Sequence, residues 1–354
     1  MFRSTPLLLA LTGLLLGACT PKEPAQQTSI ALSDGVLLPA YSGWAEADRQ
    51  LAASALSFCA GNEDLQQARQ IFLTAQNSWA ALQPLLFGPL AEGNLAWQVQ
   101  FWPDKKNLVA RQVENLLQQK PQLTQADLEQ ASVVVKGLSA YEYLLFDNGL
   151  DLTDATQRQR YCPLLTAIGK HQQTLSAEIL QQWQGDAGMA VHLKRFPNSR
   201  YADAKEAIGE ILRAEVTALD VLKKKLGTPL GRQSKGVPQP LQAESWRSQS
   251  TLSNLAASLA TAERLWLGVK QDGIRNLLDE DQAELAQRLD RAFGDSRGRL
   301  AALQRPFDEL LADKAGRDQL NALYDSFDRL HRLHERELAK ALDIQLGFNA
   351  HDGD

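Results

Sequence analysis

The stretch LQQARQIFLTAQNSWAALQPLL, residues 65–86, is the part of the sequence that most clearly sets the fold. Its apolar side chains recur every three or four positions, which places them along one side of an α-helix. Glycine and proline in Phe87-Gly88-Pro89 then end the pattern. A stripe of this width must be buried against other helices, so the stretch predicts a helical bundle. The stripe consists of Leu65, Ala68, Phe72, Ala75, Trp79, Leu82 and Leu86.

Two later segments, within 252–266 and 320–341, repeat this periodicity. We find no convincing run that alternates apolar and polar residues between hairpin turns, as a β-strand would. The sequence therefore predicts an all-α protein. Helices are predicted over residues 43–59, 63–86, 104–119, 124–146, 155–185, 201–226, 250–271, 279–305 and 314–343.

The segment Phe196-Pro197-Asn198-Ser199 is the best position for a division of the chain, because similar numbers of predicted helices lie on either side. We expect two helical-bundle halves packed side by side, formed by residues 41–200 and 201–354. Residues 227–242 form a second break, with three prolines and three glycines. This break is long for a connection between bundle helices, and long loops are often functional.

The first eighteen residues have the pattern of a signal peptide. Arg3 precedes an apolar run over residues 7–17, which is roughly half the length needed to span a bilayer. The sequence Leu16-Gly17-Ala18-Cys19 resembles a bacterial lipobox, in which the peptidase cuts before a lipid-modified cysteine. The alternative is an ordinary signal peptide followed by a chance cysteine. The lipobox resemblance predicts residues 1–18 as a lipoprotein signal peptide and Cys19 as the lipid anchor.

The residues after Cys19 bear on where the anchored protein would lie. Thr20, rather than Asp, stands after the cysteine, which by resemblance to enteric lipoproteins favours the outer membrane. We therefore expect the protein on the periplasmic face of that bacterial membrane, attached through the lipid. Residues 19–40 are rich in Pro, Gln, Ser and Thr, and this composition predicts a flexible linker.

The charge composition argues against nucleic acid as a partner. The chain has 37 basic and 42 acidic residues, well mixed, whereas a nucleic-acid surface needs a basic patch. The one short basic run, Lys223-Lys224-Lys225, is predicted to cap the negative pole of a helix. Cys59 and Cys162 are the cysteines that remain after Cys19. They form either a disulfide, in an oxidising compartment, or two buried thiols.

Four runs of residues together are typical of one protein family. They are FGP (87–89) with FWPD (101–104), GLSAYEYLLF (137–146), PLG (229–231) with ESWRSQS (244–250), and LGFNAHDGD (346–354). In this order they resemble the imelysin-like family of the peptidase M75 type. The resemblance implies an all-helical body of two bundle-like halves with a site where they meet. It also implies an extracytoplasmic protein, often a lipoprotein, linked to iron uptake, and some members have been described as peptidases.

The family signature is Gly-x-His-x-x-Glu, and here Gly137 and Glu142 match it while Ser139 replaces the histidine. Histidine and glutamate three apart on a helix can bind one metal ion, whereas a neutral serine hydroxyl is a poor ligand for zinc or ferrous iron. Glu142 then stays as the single candidate ligand of this motif. For a ferric ion, the phenol oxygens of Tyr141 or Tyr143 are further candidates. The alternative is that Ser139 and Glu142 form a buried hydrogen-bonded pair.

The matching runs also supply the candidate ligand-binding residues. We expect Glu142 to overlook a crevice between the halves, where Trp102 offers apolar contact and the others offer polar contacts. For Ser245, with Ser248 or Ser250, the alternative is capping of helix amides. The candidates are Trp102, Ser139, Glu142, Glu244, Ser245, Ser248 and Asn349.

His331, His334 and Glu335 lie within reach of one ion if their segment is helical. Their order differs from His-Glu-x-x-His, the zinc-peptidase pattern. His334 also falls on an apolar stripe, so the alternative is a hydrogen-bonded core histidine.

The function that these observations favour is a binding or accessory component of iron acquisition, with iron as the expected ligand and iron- or haem-uptake components as partners. The missing histidine weakens catalysis more than recognition, so we do not expect an enzyme. One alternative is a metallopeptidase that uses Glu142 as its base. The other is a membrane-tethered scaffold that docks another protein through its helices.

Overall fold

The computed structural model describes residues 23–347, and within this range the chain is helical and contains no β-strand. The prediction of an all-α protein is therefore confirmed. The α-helices of six or more residues are α1 Pro24–Leu32, α2 Leu38–Cys59, α3 Leu65–Leu82, α4 Leu108–Gln119, α5 Gln125–Gln130, α6 Leu138–Phe146, α7 Ala155–Gln184, α8 Ala204–Gly227, α9 Thr251–Leu267, α10 Ala283–Ala301, α11 Phe307–Ala312 and α12 Lys314–Arg332.

Short helical segments connect these elements. Two of them are π-helical, and they continue α1 into α2 and extend α12. The short segments are the π-helices Ser33–Leu37 and Leu333–Leu338, the α-helical turns Ala96–Val99, Met189–His192 and Ala339–Ala341, and the 3₁₀ turns Gln83–Leu85, Gly88–Leu90, Glu92–Asn94, Val133–Val135, Pro240–Gln242, Ile274–Leu277 and Glu280–Gln282.

The prediction of a flexible linker up to residue 40 is wrong for its described part, residues 23–40. This part is helical, and Leu32 and Leu37 are completely buried. The Ser29 hydroxyl donates a hydrogen bond to the Leu193 carbonyl at 2.6 Å. Helix α1 packs against α8. The polar composition concealed a few apolar residues at helical spacing, and these are sufficient to dock the segment on the core.

The signal peptide (residues 1–18), Cys19 and Asn349 lie outside the described residues.

The predicted helix over residues 124–146 is in fact two helices, α5 and α6, joined by a 3₁₀ turn. The break has a packing cause at Gly137, the residue that precedes α6. A Cβ atom at this position would lie 2.4 Å from the Val99 carbonyl oxygen, so only glycine allows this approach of the two backbones. The Ser132 side chain accepts a hydrogen bond from the Val134 amide and stabilises the turn.

In the first half, α2 packs against both α3 and α7. Gly169 on α7 allows close contact, because a Cβ atom there would be 3.1 Å from the Cα atom of Ala52 on α2. A disulfide between Cys59 and Cys162 joins the end of α2 to the start of α7. Of the two states that the sequence left open for these cysteines, the structure therefore has the bonded one.

The second half is organised around α8 and α12, which pack on each other, while α10 and α11 also contact α12. Helix α9 contacts both α8 and α3, so it connects the two halves. Buried apolar residues from both sides of residue 200 form one continuous core. The proposed division near residue 200 falls in the connection between α7 and α8.

Candidate functional site

A cavity of about 810 Å³ is formed between residues 79–105 and Arg200 of the first half and residues 210–233 of the second. Helix α8 provides most of the wall from the second half, and Leu346 adds to the lining. The walls combine aromatic rings with polar and charged groups. The aromatic side chains are Trp79, Phe87, Trp97 and Trp102.

Of the predicted site residues within 23–347, Trp102 is the one that lines this cavity. Its indole N–H donates a hydrogen bond to the Gln242 carbonyl at 3.1 Å. Ser139 binds the residue that precedes Trp102. Its hydroxyl donates to the Phe101 carbonyl at 2.9 Å and accepts from the Phe101 amide at 3.2 Å. Ser139 does not line the cavity; it holds the backbone that presents Trp102.

A buried ion pair forms part of the cavity wall. Lys225 lines the cavity and is 3% exposed, and its ammonium donates to Glu244 Oε1 and to Gln83 Oε1, both at 2.5 Å. Burial lowers the pKa of Lys225, against the opposing effect of the Glu244 carboxylate. Glu244 is 1% exposed and does not line the cavity itself. It acts on the cavity through Lys225.

Glu142 does not line the cavity, so the prediction that it overlooks the crevice is wrong. It is 4% exposed on α6, and its Oε1 accepts hydrogen bonds from the Ser248 amide at 2.8 Å and the Ser248 hydroxyl at 2.7 Å. Burial raises the pKa of Glu142, while Ser248 and the Arg247 charge oppose the rise. The carboxylate thus joins the first half to the 244–250 loop of the second.

The serines of the 244–250 loop form a buried polar network. Ser245 accepts hydrogen bonds from Gln76 Nε2 and from Asn254 Nδ2, the latter at 3.0 Å. The Ser248 and Ser250 hydroxyls lie 2.8 Å apart. Ser245 and Ser248 therefore do not line the cavity as predicted. The alternative of capping does not describe Ser250, because this residue precedes α9 and makes no side-chain cap.

The structure does not assemble the predicted metal site around Glu142. Within residues 23–347, no three His, Cys, Asp or Glu side chains are placed to hold one ion. The phenol of Tyr141 donates to the Leu51 carbonyl, and that of Tyr143 donates to Glu114. Both hydroxyls are therefore bonded to groups other than Glu142.

The two histidines near the end of α12 also do not converge with Glu335. His334 Nδ1 donates to the Leu330 carbonyl at 2.8 Å, and its ring packs edge-on against Trp266 and Phe293. His331 Nδ1 lies 3.3 Å from Lys223 Nζ. The alternative of a hydrogen-bonded core histidine describes His334.

Several residues that line the cavity are not among those predicted from the sequence. The sequence predicts Lys225 as part of the basic run at the end of a helix. Lys225 follows Leu222 by three positions and so lies on the buried side of α8. This spacing is the signal in the sequence that could have identified Lys225 as a buried residue. By contrast, Lys223 and Lys224 both pair with Asp220. Arg213 and Trp97 carried no comparable signal, because their position on the cavity depends on how the two halves pack.

The model of the imelysin family, peptidase M75, matches residues 37–334 of the chain. Iron-regulated protein A of Synechococcus elongatus is 27% identical over 317 residues, which cover 86% of this chain and 83% of that protein. An imelysin-like protein from Psychrobacter arcticum has a similar structure, with a TM-score of 0.77 and 22% identity over 93% of this chain and 99% of that one.

A second solved structure with this fold is that of a Parabacteroides distasonis protein described as an iron-regulated protein A precursor. Its TM-score is 0.73, with 16% identity over 92% of this chain and 96% of that one. At such identities the two structures establish the shared fold. Separately, no helix between residues 23 and 347 combines the length and apolar character needed to cross a membrane.

Proposed function

The chain belongs to the imelysin family, and from this premise we propose that it is an extracytoplasmic binding protein of iron acquisition whose ligand lies in the cavity between the two halves. The observation that carries the proposal is the cavity itself. Its volume of about 810 Å³ falls in the range of small-molecule sites, roughly 300–1,000 Å³. Its walls place a few polar groups among aromatic rings, which is the usual composition of such sites.

The role in iron acquisition is supported by the relatives. The Synechococcus protein is named an iron-regulated protein, and the sequence resembles a family linked to iron uptake. In this proposal iron is the cargo of the protein. Binding is favoured over catalysis because the signature carboxylate, Glu142, is engaged by Ser248 and lies away from the cavity.

Isothermal titration calorimetry tests the binding role directly. The full mature chain is titrated with ferric ion, ferrous ion, haem and small ferric chelates. We expect at least one of them to bind with one-to-one stoichiometry. If none of them binds, the role in iron acquisition is wrong.

A blocked cavity locates the binding. Ala214 lies on α8 and lines the cavity, so Ala214→Phe would fill part of it. We expect a loss of affinity of at least tenfold. The matched control is Ala256→Phe, which adds the same ring on the exposed side of α9 and should leave binding unchanged. Equal affinities for the two variants would place the ligand elsewhere.

The location of the protein is part of the same proposal. We propose that a lipid on Cys19 anchors it to the periplasmic face of a bacterial outer membrane, since residues 16–19 resemble a lipobox. A single acyl chain gives marginal anchoring and several give stable anchoring. Fractionation of cells that express Cys19→Ala should move the protein from the membrane to the soluble fraction. Retention of the variant in the outer membrane would refute the lipid anchor.

A further inference from the structure

We propose that the cavity selects an organic anion with an aromatic body, so that iron arrives there as an anionic aromatic chelate. The part that concerns iron rests on the proposed function; the chemical class of the ligand rests on the charges and rings of the wall.

The lining carries more positive than negative charge. Its carboxylates are Glu92 and Glu210, and both are bonded to the Arg200 guanidinium, at 2.9 and 2.7 Å. These two acids are therefore already engaged by a cation of the same wall. The cations of the lining are Lys105, Arg200, Arg213, Lys224 and Lys225.

Two of these cations, Arg213 and Lys105, form no salt bridge with a carboxylate of residues 23–347. Arg213 donates to the neutral carbonyl of Gln345 at 3.1 Å, which leaves other N–H groups of its guanidinium for a ligand. Lys105 is exposed at the cavity. Both can pair with a carboxylate or another oxyanion of a bound molecule.

The deep part of the cavity offers a further donor. The Lys225 ammonium has three N–H groups, and the protein uses two of them, for Glu244 and Gln83. Because Lys225 lines the cavity, the third N–H is available to an acceptor on the ligand.

The aromatic rings complement the body of the ligand. The indole N–H groups of Trp79 and Trp102 donate to Gln100 Oε1 and to the Gln242 carbonyl, at 2.9 and 3.1 Å. With these polar groups engaged, the rings present apolar surface. Trp97 is 46% exposed although it lines the cavity, and its ring lies 6.0 Å from that of Phe101. An exposed tryptophan in this position is suited to stacking on a flat ligand.

Calorimetry with three probe molecules tests the class of ligand. 2,3-Dihydroxybenzoate is an aromatic anion, catechol is an uncharged ring, and cyclohexanecarboxylate is an anion without an aromatic ring. We expect 2,3-dihydroxybenzoate to bind at least tenfold more tightly than either of the others. Catechol binding as tightly as the benzoate would overturn the charge requirement, and cyclohexanecarboxylate doing so would overturn the aromatic one.

Variants of exposed or half-buried residues identify the groups that act on the probes. Arg213→Gln and Lys105→Gln should each weaken 2,3-dihydroxybenzoate about five- to tenfold and change catechol by less than twofold. Trp97→Ala should weaken the benzoate about tenfold and cyclohexanecarboxylate much less. Lys314→Gln, a matched charge change on the exposed surface of α12, should change nothing. Unchanged benzoate affinity in Arg213→Gln and Lys105→Gln would refute the proposal.

A fourth ligand separates this inference from the proposed function. The ferric complex of 2,3-dihydroxybenzoate should bind and should lose affinity in Arg213→Gln. If the free benzoate binds but neither its ferric complex nor any other iron species does, the iron role is wrong and the ligand class stands. If iron species bind with full affinity to Arg213→Gln, the ligand class is wrong and the iron role stands.

Discussion

Glu142 illustrates at the residue scale how one carboxylate can connect two distant parts of the chain. Both of its described hydrogen bonds come from Ser248, which is 106 positions away. Its oxygen therefore satisfies the partly buried Ser248 amide, and it also accepts from a hydroxyl that lies 2.8 Å from the Ser250 hydroxyl. Loss of the acceptor should cost more than loss of the charge, because an unsatisfied buried donor carries the full desolvation penalty.

This difference between acceptor and charge gives the first prediction. Glu142→Gln keeps an oxygen at the same place, and we expect the free energy of unfolding to change by about 1 kcal/mol or less. Glu142→Ala removes the acceptor and should lower it by about 1–3 kcal/mol. Urea unfolding measures both. Glu284→Ala, at an exposed carboxylate, is the control, and equal losses in the Gln and Ala variants would contradict the argument.

Asp48 is a second buried carboxyl group, and it leads to a prediction about pH. It is completely buried on α2, and neither of its oxygens has a hydrogen-bond partner among the described residues. Burial raises the pKa of Asp48 to about 8, and the neighbouring Ser176 offsets only part of the rise. Between pH 4 and pH 8 the unfolded chain thus releases a proton that the folded chain keeps, and the free energy of unfolding falls as the pH rises.

Asp48→Asn should remove this dependence. Below pH 4 the Asp48 carboxyl is protonated in both the folded and the unfolded wild type, so its burial does not lower the stability there. The loss of stability is fully developed only above pH 8. We compare the free energy of unfolding of the variant with that of the wild type. We expect the difference, variant minus wild type, to be larger at pH 8 than at pH 5 by on the order of a few kcal/mol. Denaturant unfolding at both pH values measures it, with Asp308→Asn at an exposed site as the control. A difference that stays constant over this range would show that Asp48 is ionised.

At the residue scale, the sequence offered Ser139 as a hydrogen-bond partner of Glu142, whereas the structure pairs Glu142 with Ser248 and Ser139 with Phe101. The 106 positions between Glu142 and Ser248 are closed only by the packing of whole helices, and no local pattern encodes that. Trp102 was predicted as a site residue because it lies in a family motif, and its side chain lines the cavity. Arg213 lies outside the motifs, and its position on the cavity follows only from the arrangement of α8.

At the scale of elements, the helices were predictable because their periodicity is strong and their ends are marked by glycine, proline or capping residues. Asp64, Asp154 and Asp203 each cap the helix that follows. Helix α1 was missed because its apolar residues are few, and the composition of a linker was given more weight than their spacing.

The docking of α1 can be measured. Leu32→Ala should lower the free energy of unfolding by about 2–5 kcal/mol, because it deletes a completely buried side chain. Leu56→Ala, which alters a leucine that is 64% exposed, is the matched control and should change stability by about 0.5 kcal/mol or less. A Leu32→Ala variant as stable as wild type would mean that this segment is not packed on the core.

The disulfide between α2 and α7 supports another prediction. It closes a separation of 103 residues, and Cys59→Ser with Cys162→Ser should lower the free energy of unfolding by about 2–5 kcal/mol. Reduced wild type should match the double variant when both are unfolded in dithiothreitol. Oxidised wild type no more stable than the variant would show that the bond contributes nothing to the fold.

At the scale of the whole molecule, the two halves are held together by hydrogen bonds and by the packing of helices. Glu142 and Gln76 of the first half bind the 244–250 loop, and α9 packs on α3. The cavity lies beside these contacts, between residues 79–105 and α8. The position of its walls therefore depends in part on contacts made by residues that do not line it.

The docking of α1 on α8 has a geometric consequence for a protein anchored through Cys19. The helix begins at Pro24 and packs on the same helix that forms one wall of the cavity. Four peptide units separate Cys19 from Glu23, and fully extended they reach about 14 Å. The acyl chains would thus hold the body against the lipid surface and restrict its tumbling. For the anchor proposed above, a tether this short would also limit how far the cavity can turn away from the bilayer.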